Sequence, residues 1–210
     1  MPVHVVEKDS VFINCPFDAD YQPVFQSIIF TLAVCGLTPR CALEHEDAGM
    51  VRIEKIYRLI EKCDFGIHDV SRTELDAIND LPRFNMPLEL GLFLGAKKYG
   101  TKRHRAKKCL ILDKERYRFQ KFISDIAGQD IKAHDNQPKK AIASVRDWLR
   151  NTPGHAHLPG GTHIWSMYQR FRNELPALCE ESKLEVAELV FSDFLSLVLK
   201  WLGNNLSAKI

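Results

Sequence analysis

A glutamate two residues after a proline, in Asn85-Met86-Pro87-Leu88-Glu89-Leu90-Gly91, is the residue of this chain best placed to do chemistry. The pattern predicts a helix from Pro87 to about Lys97 with Glu89 in its first turn. There the helix macrodipole and the unpaired backbone N–H groups favour the ionised carboxylate. An ionised carboxylate can steady a developing positive charge or attack an electrophilic carbon. The same placement also stabilises a helix with no function attached, by roughly 0.3–1 kcal/mol.

Other side chains invite chemistry less strongly. His155, His157 and His163 suggest a metal, but no cysteine or carboxylate is spaced to complete four ligands, so no metal is expected. Cys15 has no basic neighbour in sequence to activate it. The basic run from Lys97 to Lys108 reads as a solvated stretch before a strand, or as a phosphate or nucleic-acid contact. Tyr99 is the one aromatic within it, which argues against stacking on a single strand. The net charge of +2 gives no global pull toward nucleic acid or a membrane surface.

These residues need elements to position them. Val11 to Asn14 reads as a short buried strand stopped by Pro16, and residues 22–35 carry apolar side chains at helical spacing up to Gly36. A second strand is predicted over Arg40–Leu43, a helix over 51–62, a third strand over Phe65–Val70, and a fourth over Lys108–Leu112. Strands alternating with helices of ten or more residues predict an α/β fold: a flavodoxin-like parallel sheet with helices on both faces. A mainly helical C-terminal part follows, with helices over 115–125, 138–150, 162–180 and 183–202 and a short extended piece near Ile131. Ser182 and Glu185 fit a capping box opening the last of these. A soft boundary near residue 113 divides the chain into a 1–113 α/β part and a 114–210 helical part, both able to lie in one body. The last helix is apolar over more than one stripe, which calls for deep burial or a subunit contact.

An open parallel sheet binds ligands outside the carboxyl ends of its strands. The residues there are Asn14, Cys15, Pro16, Phe17 and Asp18 after the first strand, and Glu44, His45 and Glu46 after the second. Asp69, Ser71 and Arg72 follow the third, and Asn85, Met86, Pro87 and Glu89 begin the next helix. Structural roles compete for several of them: Asp69 can cap a turn with Ser71, Asn14 can satisfy strand-end backbone, and Phe17 can belong to the core.

The chain has 210 residues, 45% apolar and 27% charged, which suits a soluble protein with a sizeable core. Its six cysteines form no C-x-x-C pair, and the first ten residues do not read as a signal peptide; both suggest a reducing, cytoplasmic setting. No stretch approaches the ~20 apolar residues of a spanning helix, so no membrane is expected as a partner.

Phe12-Ile-Asn-Cys-Pro-Phe17 resembles the first-strand segment of nucleoside 2-deoxyribosyltransferases, His68-Asp-Val-Ser71 resembles their third strand, and Glu89-Leu-Gly-Leu-Phe-Leu-Gly-Ala-Lys97 resembles the helix that opens with their catalytic Glu. The arrangement is similar to that of Toll/interleukin-1-receptor-like (TIR-like) NAD-cleaving domains as well. The resemblance spans roughly residues 10–113. It implies an N-glycosidase or ribosyltransferase-like enzyme acting on a nucleotide such as NAD, as substrate and not as cofactor, with Glu89 as the catalytic carboxylate. It also implies that Asp69 holds a base or ribose hydroxyl and that Asn14, Phe17 and Asp18 line the pocket, with Ser71 and Asn85 beside them. Proteins of this look in bacteria are often toxic or antiviral defence effectors, and they usually self-associate, so a homo-oligomer is expected and nucleic acid is not. The alternative is a non-catalytic nucleotide-sensing module that keeps the pocket, and a third reading is a scaffold acting through the helical half.

Overall fold

A computed structural model describes residues 9–44, 49–75 and 80–206. Five parallel strands form one sheet in the order β2-β1-β3-β4-β5, the order of flavodoxin-like folds. The strands are β1 (Ser10–Asn14), β2 (Thr38–Arg40), β3 (Phe65–Asp69), β4 (Lys108–Asp113) and β5 (Lys132–Ala133). The helices are α1 (Gln22–Val34), α2 (Arg52–Lys62), α3 (Asn85–Tyr99), α4 (Lys102–Ala106), α5 (Pro138–Arg150), α6 (Gly161–Glu181) and α7 (Phe191–Leu206).

Every residue of β1 and β3 is buried, because helices cover both faces of the sheet. Alternation sorts the side chains. Val11, Ile13, Phe65, Ile67, Leu110 and Leu112 meet α1 and α5, while Phe12 turns to the opposite face and packs with α2 and with Phe93 of α3. Gly66 also faces α3. A methyl group there would lie 2.7 Å from the Phe93 ring and 2.8 Å from the His68 imidazole, so only glycine lets the helix sit this close.

Helix α1 is apolar nearly all round and is buried from Val24 through Leu32. The sheet takes one side, and α5, α6 and α7 take the rest. Its two interior hydroxyls are satisfied within the helix: Ser27 donates to the Val24 carbonyl and Thr31 to the Ser27 carbonyl, each at 2.7 Å. Gly36, at φ +78°, ends it in a conformation that side chains rarely adopt. Phe30 of α1, Phe171 of α6 and Trp201 of α7 form a ring cluster with centroids 5.3–5.8 Å apart. Most of the apolar side chains of the last helix are thus absorbed inside the chain, with Leu199 and the preceding Val190 left exposed.

The sheet and its cover continue past residue 113: β5 pairs with β4, and α5 packs along α1. Several sequence expectations are corrected. Residues 115–125 are not an α-helix but two short 3-10 turns, Arg118–Lys121 and Ser124–Ile126, since Tyr117 takes φ 60° and Arg118 reaches back to Asp113. The last helix starts at Phe191, not 183. Ser182 ends α6, Lys183 turns left-handed at φ 57°, and no capping box forms. Strand β2 lies two residues earlier than expected, because the Glu44 carboxylate accepts from Arg40 and from the Cys41 N–H and so bends the chain.

The basic run becomes local stapling. Arg103 donates to Asp64 and the Lys62 carbonyl, Lys97 to the Lys107 carbonyl, and the buried Lys107 to the Cys63 carbonyl. These contacts gather where β3 and β4 begin, the edge opposite their carboxyl ends, so the run is not a phosphate contact for a ligand bound there. No helix among the described residues is long and apolar enough to cross a membrane.

Candidate functional site

The chain leaves β1 toward β2 on one side and returns to β3 on the other, so the strand order reverses between β1 and β3. Outside the carboxyl ends of these strands lies a cleft of about 900 Å³, lined among others by Cys15, Phe17, Asp18, Arg52, Asn85 and Met86. Its place and its size suit a small-molecule site.

A buried hydrogen-bond chain sets the cleft wall. The Asn14 amide donates to His68 Nδ1 at 3.1 Å and to the Met86 carbonyl at 3.0 Å, tying the end of β1 to the first turn of α3. Both amide hydrogens of Asn14 are used, so Asn14 docks the helix. Because Nδ1 of His68 accepts, its proton sits on Nε2, which has no hydrogen-bond partner. Burial pushes the His68 pKa down to about 3, and the ring stays neutral.

This neutrality has a pH signature. A histidine whose folded pKa is depressed stabilises the fold fully above its ordinary value of 6.5, and that contribution is lost as pH falls toward 3. Below pH 6.5 the native protein should lose about 1.4 kcal/mol per pH unit through this group. His68→Gln should flatten the slope by one proton between pH 6.5 and 5, above most carboxylate titration. Urea midpoints across that window give the measurement; equal slopes would refute the assignment.

Glu89 is the fifth residue of α3, which begins at Asn85, two residues earlier than the proline suggests. It therefore lies beyond the first turn, and the macrodipole argument for its ionisation falls. Its side chain is 6% exposed, and Arg52 Nη2 lies 3.7 Å from Oε1. Burial raises the Glu89 pKa, and the Arg52 charge pulls it partly back. Arg52, 52% exposed, lines the cleft.

The other carboxylates at this edge accept structural hydrogen bonds, with Asp113 Oδ2 alone left without a partner among the described residues. Asp69 accepts from the Ser71 N–H at 2.8 Å and from His134 Nε2 at 2.9 Å, with no exposed surface. Asp113 accepts from Arg118 at 2.7 Å and from the Lys114 N–H. Asp18 takes two bonds from Arg72, at 2.9 and 2.5 Å, and one from the Tyr21 N–H at the start of α1. The Arg72 guanidinium holds the Asp18 pKa below the ordinary carboxylate range.

Ser71, His134 and Asp69 invite comparison with a nucleophilic triad, and the geometry refuses it. His134 Nδ1 accepts from the Asn136 N–H, so the ring's one proton is on Nε2. Both Ser71 Oγ, at 3.0 Å, and Asp69 Oδ2 lie at that same nitrogen. A relay needs the hydroxyl and the carboxylate on opposite nitrogens. The three form a closed structural network with Ser71 buried. Cys15 stays a thiol, since burial and then the nearby Asp69 raise its pKa.

Of the residues expected at the site, Phe17, Asp18 and Asn85 line the cleft and Glu89 stands behind Arg52 at its margin. Asn14, Asp69 and Ser71 lie beneath it, holding the wall. Glu44 is drawn into the β2 turn by Arg40, and His45 and Glu46 fall outside the described residues. Sequence reasoning missed Arg52 and His134. Arg52 had a usable signal: it opens α2, and helix starts share the sheet edge with strand ends. No protein-family model, curated protein or solved structure matches this chain.

Proposed function

We propose that this protein is an N-glycosidase or ribosyltransferase-like enzyme that cleaves the bond between ribose and base in a nucleotide, with Glu89 as the working carboxylate. One observation carries the reading. Glu89 is a buried carboxylate beside the switch-point cleft that structural hydrogen bonds have not consumed, whereas Asp18 and Asp69 are engaged through both oxygens and Asp113 is held through Oδ1 by Arg118, away from Arg52. Buried charges kept in that condition mark functional sites. When the C1′–N bond breaks, its electron pair leaves with the base, and positive charge develops on C1′ and the ring oxygen. The Glu89 carboxylate then stabilises that charge, or adds to C1′ until water displaces it, and water gives its hydroxyl to C1′; its proton passes to solvent when the base departs neutral, as nicotinamide does, and to the base when it departs as an anion. Arg52 would meet a phosphate and so leave Glu89 free to act.

The enclosure of Asp69 favours a second reading, a nucleotide-sensing module without turnover, because this acid is withdrawn from the cleft. Incubation with NAD, NADP, ATP and deoxynucleosides, followed by chromatography of the free base, separates the two. Base release that requires Glu89 supports the enzyme, and base release that persists in Glu89→Gln refutes its role. Tight binding without release supports the sensor.

A further inference from the structure

Helix α3 is apolar on the side it turns to solvent. Met86, Glu89, Leu90 and Phe93 are its buried residues. The opposite side carries Phe84, Leu88, Gly91, Gly95 and Tyr99, one to each turn, with Phe84 64%, Leu88 56% and Tyr99 84% exposed. Of the three charged residues in the helix, Glu89 is buried and Lys97 bonds to the Lys107 carbonyl, which leaves Lys98 on this side. A helix lying on a globular surface keeps its polar residues outward; one that is apolar all round is a helix that becomes covered.

The two glycines sharpen the point. Glycine in a helix interior is disfavoured against almost any other residue. A Cβ at Gly91 or Gly95 would meet nothing within 4 Å, so packing among the described residues does not call for glycine at either place. A second backbone drawn close to the helix would call for it at both.

The order of the residues selects the occupant. Phe84 and Tyr99 lie equally far from the midpoint between Gly91 and Leu92, and so do Leu88 and Gly95, and Asn85 and Lys98. Phe84 already has helical backbone angles, so the match spans the full helix. Two copies of α3 running antiparallel about that midpoint would seat each Leu88 over the other copy's Gly95. Aromatic would meet aromatic at both ends, and each Lys98 would face the Asn85 side-chain carbonyl instead of another cation. A two-fold interface requires this self-match, in which residue i meets j and j meets i. We propose that the outer face of α3 is the interface of a symmetric dimer, covered by the antiparallel α3 of a second copy of this chain. Asn85 also lines the cleft, so the dimer sets Lys98 of each copy at the mouth of the other copy's cleft.

Sedimentation equilibrium of the full chain measures the dimer dissociation constant, and thermal melting checks the fold of each variant. Gly91→Gln and Gly95→Gln fill the gaps at positions with open space around them. Each should weaken the dimer tenfold or more with the melting temperature of the monomer unchanged or raised, because a helix prefers glutamine to glycine. Asn85→Lys brings two cations together and should weaken the dimer by a similar factor; adding Lys98→Glu should restore it to within threefold of native. A native chain that stays monomeric in the hundred-micromolar range overturns the proposal, as does a dimer indifferent to both glycine changes. Failure of Lys98→Glu to rescue Asn85→Lys overturns the antiparallel pairing. None of these readings uses base release, so the glycosidase proposal stands or falls apart from this one.

Discussion

Glu89→Gln is expected to abolish base release and, at neutral pH, to make the protein more stable. The rate loss should be on the order of 10²–10³-fold or more, the scale seen when a preorganised electrostatic group at a transition state is removed. The stability gain follows from the same burial. Glu89 has a raised pKa in the fold, so its ionised form is carried at a cost that a neutral amide of equal shape avoids. The gain should be roughly 0.5–2 kcal/mol. It should be present at pH 7 and vanish below the ordinary value of 4.5, where the carboxyl is protonated in both folded and unfolded chains. Thermal melts at pH 7.5 and pH 4 read the stability, and base release reads the rate. In native protein the acid limb of the rate profile should sit above the ordinary carboxylate range, and Arg52→Ala should move it higher still. A neutral-pH loss of stability in Glu89→Gln would show that the carboxylate is structural.

Asp69→Ala should do the opposite: unfold readily, whatever it does to rate. Removing the carboxylate strands the Ser71 N–H and leaves the His134 Nε2–H only the Ser71 hydroxyl, in a buried region. Burying an unpaired donor costs about 1–3 kcal/mol. A loss near the upper figure is expected in urea unfolding, against about 1 kcal/mol for Ser71→Ala, which removes one hydroxyl from the same network. An unchanged urea midpoint for Asp69→Ala would mean that this acid faces solvent and is available to a ligand after all. The two carboxylates, both at the carboxyl edge of the sheet, thus predict inverse effects on stability.

The sequence reading reached the frame of the fold because long buried strands and periodic helices announce themselves locally. β1, α1, α2, β3 and β4 all lie within two residues of their expected spans. It failed where the deciding interaction is distant. The start of α3 is set by Asn14 reaching the Met86 carbonyl across 72 positions, and Pro87 occupies the helix interior of the first turn, where backbone N–H groups have no partner anyway. β5 is two residues long, too short to show alternation, yet it delivers His134 to Asp69. Phe17, Asp18 and Asn85 were legible as cleft residues because strand ends and helix starts can be located without side-chain detail. The inward turn of Asp69 and Ser71 was not, since it depends on a histidine more than 60 residues away.

The encasement of α1 bears on how the chain is made. This helix is apolar nearly all round, while Tyr168, Phe171, Phe194 and Trp201, which cover its outer side, are translated more than a hundred residues after it. At roughly 5–20 residues per second the nascent chain holds this exposed apolar rod for several seconds or more before its cover arrives. The interval is when a chaperone would have its surface to grip, and when a chain cut short before α6 would be most prone to aggregate.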